Sequence, residues 1–235
     1  MFTGNADGGG GRQVSRRPGQ WVNPQWSADG EEIVVIRGSG ATLRGGDLGD
    51  EMYHELWILD ADGKDEPHFV KTIGSRGAAS RMPAPFFSGN SERIFFMRSA
   101  ASNHAELVSV RRDGTDETVH VKVKYGEEFT VSPDGKWVAY KKLHDAYLAP
   151  MPVPGTGVLD LGDSDGAVKV YALTDDMADW VSWENDTTLT WSQANELYRT
   201  SVEDVIALNT PEEDEDSEGE DEDEEEDEEE DEEGE

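Results

Sequence analysis

The sequence predicts an all-β body followed by a disordered acidic tail, and three observations lead to this prediction. Short apolar runs rich in β-branched and aromatic residues alternate with Gly, Pro, Asn and Asp, which is the pattern of strands joined by tight turns. One hairpin unit recurs along the body. No stretch before the tail keeps an apolar period of about 3.6 residues over the length of a helix.

Each predicted strand is a short apolar run bounded by turn residues. In chain order, these runs are Ile33–Ile36, Leu56–Leu59, Ile94–Met97, Leu107–Val110, Trp137–Tyr140, Val168–Leu173 and Leu189–Trp191. The segment Ser201–Leu208 is predicted as a short helix of one or two turns.

The recurring hairpin unit consists of an apolar anchor, a serine, a turn and a strand. Its copies are Trp26–Val35, Phe87–Phe96, Val131–Tyr140 and Trp183–Trp191. In the last copy Glu184 replaces the serine, and the unit is one residue shorter. The turn Ser132–Gly135 explains the geometry, because its proline presets φ at the first corner and its glycine takes the left-handed position that follows.

A second strand follows each hairpin. These strands are Glu55–Leu59, Glu106–Val110, Ala146–Ala149 and Glu196–Tyr198. Three or four short strands in roughly 40–50 residues make one blade of a β-propeller. The first two copies of the hairpin unit are further apart in the sequence than the later copies. The Gly-rich segment Gly38–Tyr53 between them is therefore predicted to be an insertion. The predicted fold class is an all-β propeller of four-stranded antiparallel blades, with about four recognisable blades.

The repeats resemble those of a known family. The units Trp26-Ser27-Ala28-Asp29-Gly30 and Ser132-Pro133-Asp134-Gly135-Lys136 are similar to the PD40 (WD40-like) repeats of TolB-type β-propellers. Over residues 5–206 the order of elements is closest to the propeller region of TolB-fused amidohydrolases. The resemblance implies a protein-interaction role, and the family it points to is often exported or periplasmic.

The same resemblance implies that the propeller is a partial copy. Residues Arg12–Ser15, with the turn Asn5–Gly9 before them, look like the last strand of an earlier blade. Related propellers usually have more blades, and in the amidohydrolases a catalytic barrel follows them. The predicted organisation is a flexible start with a remnant strand (1–20), a partial propeller (21–208) and a disordered poly-acidic tail (209–235).

The charge is strongly uneven along the chain. The 235 residues carry a net charge of −33, and 21 of the 53 acidic residues lie in Pro211–Glu235. The remaining 32 acids and 20 bases leave residues 1–210 at −12. This balance argues against a nucleic-acid partner. The tail is a polyanion that would bind cations or basic proteins weakly and in a salt-sensitive manner.

Other sequence-level features narrow the function further. No apolar run approaches the roughly 18 residues of a membrane span, and the start of the chain has no basic and apolar leader, so neither a span nor a secretory signal is predicted. The chain has no cysteine, which excludes a thiol nucleophile and Cys-ligated zinc. The compartment stays open.

No catalytic, cofactor-binding or metal-binding residue is predicted. The histidines His54, His68, His104, His120 and His144 form no metal-ligand motif. The segment Gly162–Gly166 matches Gly-x-Ser-x-Gly around Ser164, but a predicted strand follows it and two carboxylates flank it, so a polar loop is favoured. The acidic turn Asp60–Gly63, with Asp65 and Glu66, is read as a hairpin turn rather than as a calcium loop.

Large apolar residues are predicted to pack between blades. Trp26, Trp137, Trp183 and Trp191 occupy repeat positions that suit this role, and the alternative is a stacking surface for ligands. Because blades are missing, the end faces are expected to be exposed and to need a protein partner or a missing propeller or barrel segment. These faces carry Trp26, Ile33 and Val35 at one end and Trp183, Leu189 and Trp191 at the other.

The sequence therefore favours a non-catalytic binding or scaffolding module. Two alternatives remain open. The chain is an accessory propeller of an amidohydrolase whose barrel lies elsewhere, or it acts through its acidic tail as a binder of basic proteins.

Overall fold

The computed structural model describes residues 1–38, 51–76, 84–153, 155–161 and 168–210, and most of them lie in β-strands. The elements, in chain order, are β1 (Phe2–Thr3), β2 (Arg12–Gln13), β3 (Gln20–Trp26), β4 (Glu32–Gly38), β5 (Glu51–Asp60), β6 (His68–Arg76), β7 (Phe86–Phe87), β8 (Arg93–Ala100), a 3-10 turn (Ala101–Asn103), β9 (His104–Arg111), β10 (Thr118–Lys124), β11 (Gly126–Val131), β12 (Trp137–Lys142), β13 (Asp145–Pro150), β14 (Leu159–Asp160), β15 (Tyr171–Ala172), β16 (Asp179–Trp183), β17 (Thr188–Gln193), β18 (Glu196–Ser201) and α1 (Val202–Leu208).

Four sheets form the blades of a β-propeller, as predicted. Sheet I contains β3–β6, sheet II contains β7–β10, sheet III contains β11, β12, β13 and β15, and sheet IV contains β16–β18. Within each sheet the strands follow one another along the chain and pair antiparallel. The short β14 adds a parallel strand to the outer edge of sheet II. The first strands of the four sheets face a common axis.

The serine of the repeat locks the turn that follows it. In sheet III, the Ser132 hydroxyl donates to Asp134 Oδ1 at 2.7 Å and accepts from the backbone N–H of Trp137 at 3.0 Å. Ser27 and Ser88 make the same two kinds of bond in sheets I and II. The serine hydroxyl thus provides a hydrogen-bond partner for a backbone group that a tight turn would otherwise leave unpaired. This local role explains why the residue recurs.

One predicted strand is much shorter than expected. Of the run Val168–Leu173, the strand β15 contains only Tyr171 and Ala172, which pair with Leu148 and Tyr147. Continuing this register would place Lys169 opposite Pro150, which has no N–H to donate. Proline at this position therefore removes one of the two ladder bonds that this pair of residues could form.

The first blade does not expose its apolar face, and that part of the prediction was wrong. Strands β1 and β2 form a hairpin, and the following Val14 is 1% exposed in a cluster with Ile33, Val35, Trp57 and Leu59. The remnant strand therefore covers the outer face of sheet I.

Hydrogen bonds attach this hairpin to the turn between β5 and β6. Thr3 Oγ1 donates to the Ala61 carbonyl at 2.9 Å, and Arg12 reaches Asp62 at 2.8 Å. A Cβ on Gly63, whose φ is +64°, would lie 2.8 Å from the Gln13 carbonyl oxygen. The close backbone approach thus depends on glycine at this position.

The last blade also turns its apolar residues inward, against the prediction. Leu189 and Trp191 are buried in a cluster with Ala139 and Leu148 of sheet III. The residues between and beyond them in β17, Thr190 and Ser192, point to the opposite face because side chains alternate along a strand. The outer face of sheet IV is therefore largely polar, which removes the argument that it must be covered.

The predicted helix forms as α1, directly after the last strand of sheet IV. The Ser201 hydroxyl caps it by accepting from the backbone N–H of Asp204 at 3.0 Å, which suits a helix N-terminus. Just past the helix, the Asn209 side-chain amide exchanges two hydrogen bonds of 2.9 Å with the backbone of Ala172. Residues 209 and 210 thus belong to the folded body, and the predicted tail starts after them.

Several sequence-level predictions fall outside the described residues. These are the central part of the insertion (39–50), the Gly-x-Ser-x-Gly segment with Ser164 and the acidic tail from Pro211 onwards.

Candidate functional site

The four apolar anchors of the repeat come together at one end of the propeller axis. Trp26, Phe87, Val131 and Trp183 all line a cleft with a volume of about 410 Å³, which we call the aromatic cleft. The turns that follow Trp26, Phe87 and Val131 also contribute residues to it. Phe95 lines the same cleft and stacks on Phe86 with ring centroids 5.4 Å apart.

The placement of the tryptophans corrects part of the sequence-based interpretation. Trp191 is buried and Trp137 packs between sheets III and IV, as predicted. Trp26 instead has 54% of its surface exposed, so its ring lies open at the cleft. Trp183 packs partly against the core of sheets III and IV, and its buried indole N–H has no hydrogen-bond partner within the described part of the chain.

A second cleft is built from another equivalent set of positions, nearer to the start of each first strand. Three residues before each anchor stand Asn23, Ala84, Glu128 and Trp180, and all four line a cleft of about 390 Å³. We call it the polar cleft.

The polar cleft contains three carboxylates around one lysine. Lys141 is buried and forms an ion pair with Asp179, while Glu127 Oε2 lies 3.9 Å from its Nζ. Burial raises the pKa of Glu128, and backbone N–H groups of Trp180 and Val181 partly offset this effect by donating to its carboxylate. The formal charge of these four side chains is −2, from three acids and one base.

β-bulges explain how the polar cleft acquires these side chains. The pairing shifts between Val22 and Gln25 in β3 and between Asp179 and Ser182 in β16. Asn23 has φ +53° and Trp180 has φ +59° at these points, a conformation that non-glycine residues seldom adopt. Bulges redirect side chains and cluster beside functional sites. As a result, Trp180 is 79% exposed.

A hydrogen-bonded serine–histidine pair, Ser109 and His120, lies in sheet II. Ser109 Oγ is 2.7 Å from His120 Nε2 and accepts a hydrogen bond from Arg93 Nε at 2.8 Å. Arginine can only donate, so Ser109 accepts this bond and its own hydroxyl proton is available for His120 Nε2. Ser109 is fully buried, so this network serves packing and does not present a nucleophile to solvent.

Burial and, secondarily, the charge of Arg93 lower the pKa of His120 to about 4. Since the unfolded histidine titrates near 6.5, the unfolded state binds a proton first as pH falls, and stability is lost between about 6.5 and 4. After allowance for solvent screening at this partly exposed ring, we expect a loss of about 1–2 kcal/mol.

Urea denaturation at pH 7 and pH 4.5 measures this loss. The wild type should lose more stability than His120→Asn, whereas the exposed control His144→Asn should follow the wild type. Equal losses in the wild type and His120→Asn would contradict the assignment of this pH dependence to His120.

The acidic turn Asp60–Gly63 is a hairpin turn, as predicted. The Asp60 carboxylate accepts backbone N–H groups of Asp62, Lys64 and Asp65 at 2.6–3.0 Å. The Asp62 carboxylate pairs with Arg12 and Lys64. Within the described residues, no group of three or more His, Asp or Glu side chains is placed to hold a metal ion.

Comparisons with known proteins find similar chains among solved structures. No family model and no curated protein match the sequence. Among solved structures, the β-propeller domain of the Trilobed protease from Pyrococcus furiosus matches with a TM-score of 0.46 and 10% identity over 77% of this chain and 51% of that one. A gluconolactonase from Xanthomonas campestris matches with a TM-score of 0.49 and 18% identity over 84% and 63%.

A putative TolB from Agrobacterium tumefaciens matches with a TM-score of 0.45 and 12% identity over 79% of this chain and 78% of that one. The chain spans 51% and 63% of the lengths of the first two structures. In the part of the chain that the structure describes, no helix is long and apolar enough to cross a membrane.

Proposed function

We propose that this chain is a non-catalytic binding module with TolB/PD40-like repeats, and that its ligand docks in the aromatic cleft. The observation that carries this proposal is the convergence of Trp26, Phe87, Val131 and Trp183 on one open cleft. Concave apolar sites with a few polar groups are the usual form of a ligand site. The exposed ring of Trp26 supplies apolar area for the ligand.

The proposal favours a protein ligand. Aromatic anchors dominate the energy of protein interfaces, and a cleft of this volume accommodates one large side chain with its neighbouring backbone. The rim is made of turns that the serine locks hold in place, so the cleft is formed before the ligand arrives. Preorganisation of this kind lowers the entropic cost of binding.

A selection experiment tests the proposal. The full chain is immobilised and panned with a random dodecapeptide library, and the affinities of the recovered peptides are measured in solution. Trp26→Ala should weaken them by about 2 kcal/mol, roughly 30-fold. Leu143→Ala, which removes a side chain that is 51% exposed elsewhere, serves as the control and should leave affinity unchanged. Peptides whose affinity is unchanged by Trp26→Ala would refute the assignment of the binding site to the aromatic cleft.

The amidohydrolase alternative and the tail-dependent alternative stay predictions. Pull-down with a tail-deleted chain separates the second of these from the present proposal, because binding through the aromatic cleft should survive deletion of residues 211–235.

A further inference from the structure

We propose that the aromatic cleft selects an apolar side chain that has a basic residue on each side of it in the partner's sequence. The apolar side chain enters the cleft, and the Lys or Arg residues contact acidic turns around the cleft. This inference rests on the proposed function and specifies the chemistry of the partner. The apolar contact supplies most of the affinity, and the charges supply selectivity among apolar segments.

Four turn segments, one from each sheet, follow the apolar anchors in the sequence. Three of them contribute residues to the aromatic cleft itself, namely Ala28, Ser88, Gly89, Ser132, Pro133 and Gly135. The fourth begins directly after Trp183, which also lines the cleft. These segments are Ser27–Glu32, Ser88–Glu92, Ser132–Lys136 and Glu184–Thr187, and we call them the anchor turns.

The anchor turns keep a negative charge after the bases paired with them are counted. Their seven acidic residues are Asp29, Glu31, Glu32, Glu92, Asp134, Glu184 and Asp186, and their one base is Lys136. Lys136 pairs with Asp134, while Arg112 and Arg199 from outside these segments pair with Glu32 and Glu184. Arg93, which follows Glu92, pairs instead with Asp116. Seven acids and three bases leave a formal charge of −4.

The exposed acids stand on more than one side of the aromatic cleft. Glu31, Glu92 and Asp186 are exposed and belong to the anchor turns of sheets I, II and IV. Sheet III shares one core cluster with sheet II and another with sheet IV, so Glu92 and Asp186 are separated by the anchor turn of sheet III. Exposed charges of one sign around a concave site raise the local concentration of ligands of the opposite sign.

The lining of the cleft favours a peptide over a free cation. Among the described residues that line the aromatic cleft, none is charged, and Trp26, Phe87 and Phe95 give it an apolar surface. A small cation would have only the exposed carboxylates, whose attraction is weakened by water and salt. A peptide brings both groups, because its apolar side chain holds the neighbouring basic residues beside the acids.

A charge-neutral isostere provides the test. The probe is the dye-labelled peptide acetyl-Gly-Arg-Gly-Trp-Gly-Arg-Gly-amide, compared with the same peptide in which citrulline replaces both arginines. Fluorescence anisotropy measures the binding of each peptide to the full chain at the same ionic strength. The citrulline peptide should bind about fivefold more weakly, since exposed ion pairs contribute modestly to affinity.

A pair of double variants locates the charge that the peptide senses. In Glu92→Gln, Asp186→Asn the citrulline penalty should fall to about twofold or less. The matched control Asp175→Asn, Asp176→Asn removes the same charge from exposed residues outside the anchor turns and should keep the penalty of the wild type. The acidic tail is present in every variant, so the difference between the two doubles isolates the anchor turns. Thermal melting of each variant verifies folding.

The outcomes separate this inference from the proposed function. If Trp26→Ala weakens the binding of both peptides but the two double variants show equal citrulline penalties, the charge is sensed outside the anchor turns and only this inference fails. If library peptides bind through Trp26 while the arginine probe binds no more tightly than the citrulline probe, the inference also fails. If no peptide binding depends on Trp26, both proposals fail.

Discussion

Replacing Leu189 by alanine should destabilise the protein by about 3 kcal/mol, within the range of large-to-small substitutions in well-packed cores. The side chain is fully buried between sheets III and IV. Its removal loses apolar contacts and leaves a cavity that the rigid sheets cannot close.

The neighbouring strand offers a matched control. Leu197 lies on β18 of the same sheet and is 78% exposed, so Leu197→Ala should change the free energy of unfolding by less than about 0.5 kcal/mol. Urea denaturation monitored by tryptophan fluorescence measures both variants. Similar losses for the two leucines would contradict the inward orientation of Leu189, and with it the largely polar outer face of sheet IV.

Replacing Gly89 by alanine should destabilise the protein by about 3 kcal/mol, at the upper end of the costs of overpacking. A Cβ at this position would lie 1.8 Å from the carbonyl oxygen of Pro133. The obstacle is backbone, so the turns of sheets II and III must move apart. Since both turns line the aromatic cleft, the same substitution should also weaken ligand binding.

Gly11→Ala is the control for this substitution. A Cβ on Gly11 would meet nothing within 4 Å, and alanine there should leave stability nearly unchanged. Calorimetric melting of the two variants gives the comparison. An unchanged melting temperature for Gly89→Ala would mean that sheets II and III do not approach each other at this turn.

The repeating unit was predictable because its chemistry is local. The serine, the Asp or Asn two residues later and the left-handed corner are all close in sequence, and they form the same turn wherever they occur. Gly30 and Gly135 take φ of +74° and +75°, and Ser91 takes φ +56° at the same corner. The strands that follow were predicted for the same reason, because the alternation of apolar residues is read from neighbouring positions.

The aromatic cleft was not predictable, although its residues were identified as a set. Sequence comparison aligned Trp26 with Trp183 but could not tell whether the anchors face a neighbouring blade or the axis. That distinction depends on how the sheets are arranged around one another. The alignment of the repeats did contain a usable signal. Residues at the same position in each repeat lie at the same depth along the propeller axis, which indicates that the four anchors lie near one another.

The prediction that apolar side chains are exposed at the end faces failed for a related reason. Alternation along the strand places Leu189 and Trp191 on one face and Thr190 and Ser192 on the other. It does not predict which of the two faces packs against another sheet. In sheet II, the pairing shifts between Val119 and Val121, and His120 lies beside Ser109. No residue pattern in the sequence predicts this bulge.

The assignment of the binding site to the aromatic cleft is tested most directly by ¹⁹F nuclear magnetic resonance. The full chain is labelled with 5-fluorotryptophan, its seven tryptophans are assigned by single Trp→Phe substitutions, and a selected peptide is titrated in. The Trp26 and Trp183 resonances should shift with ligand concentration, while those of the packed Trp137 and Trp191 should stay in place. A titration in which Trp26 does not move while other resonances do would place the binding site elsewhere on the propeller.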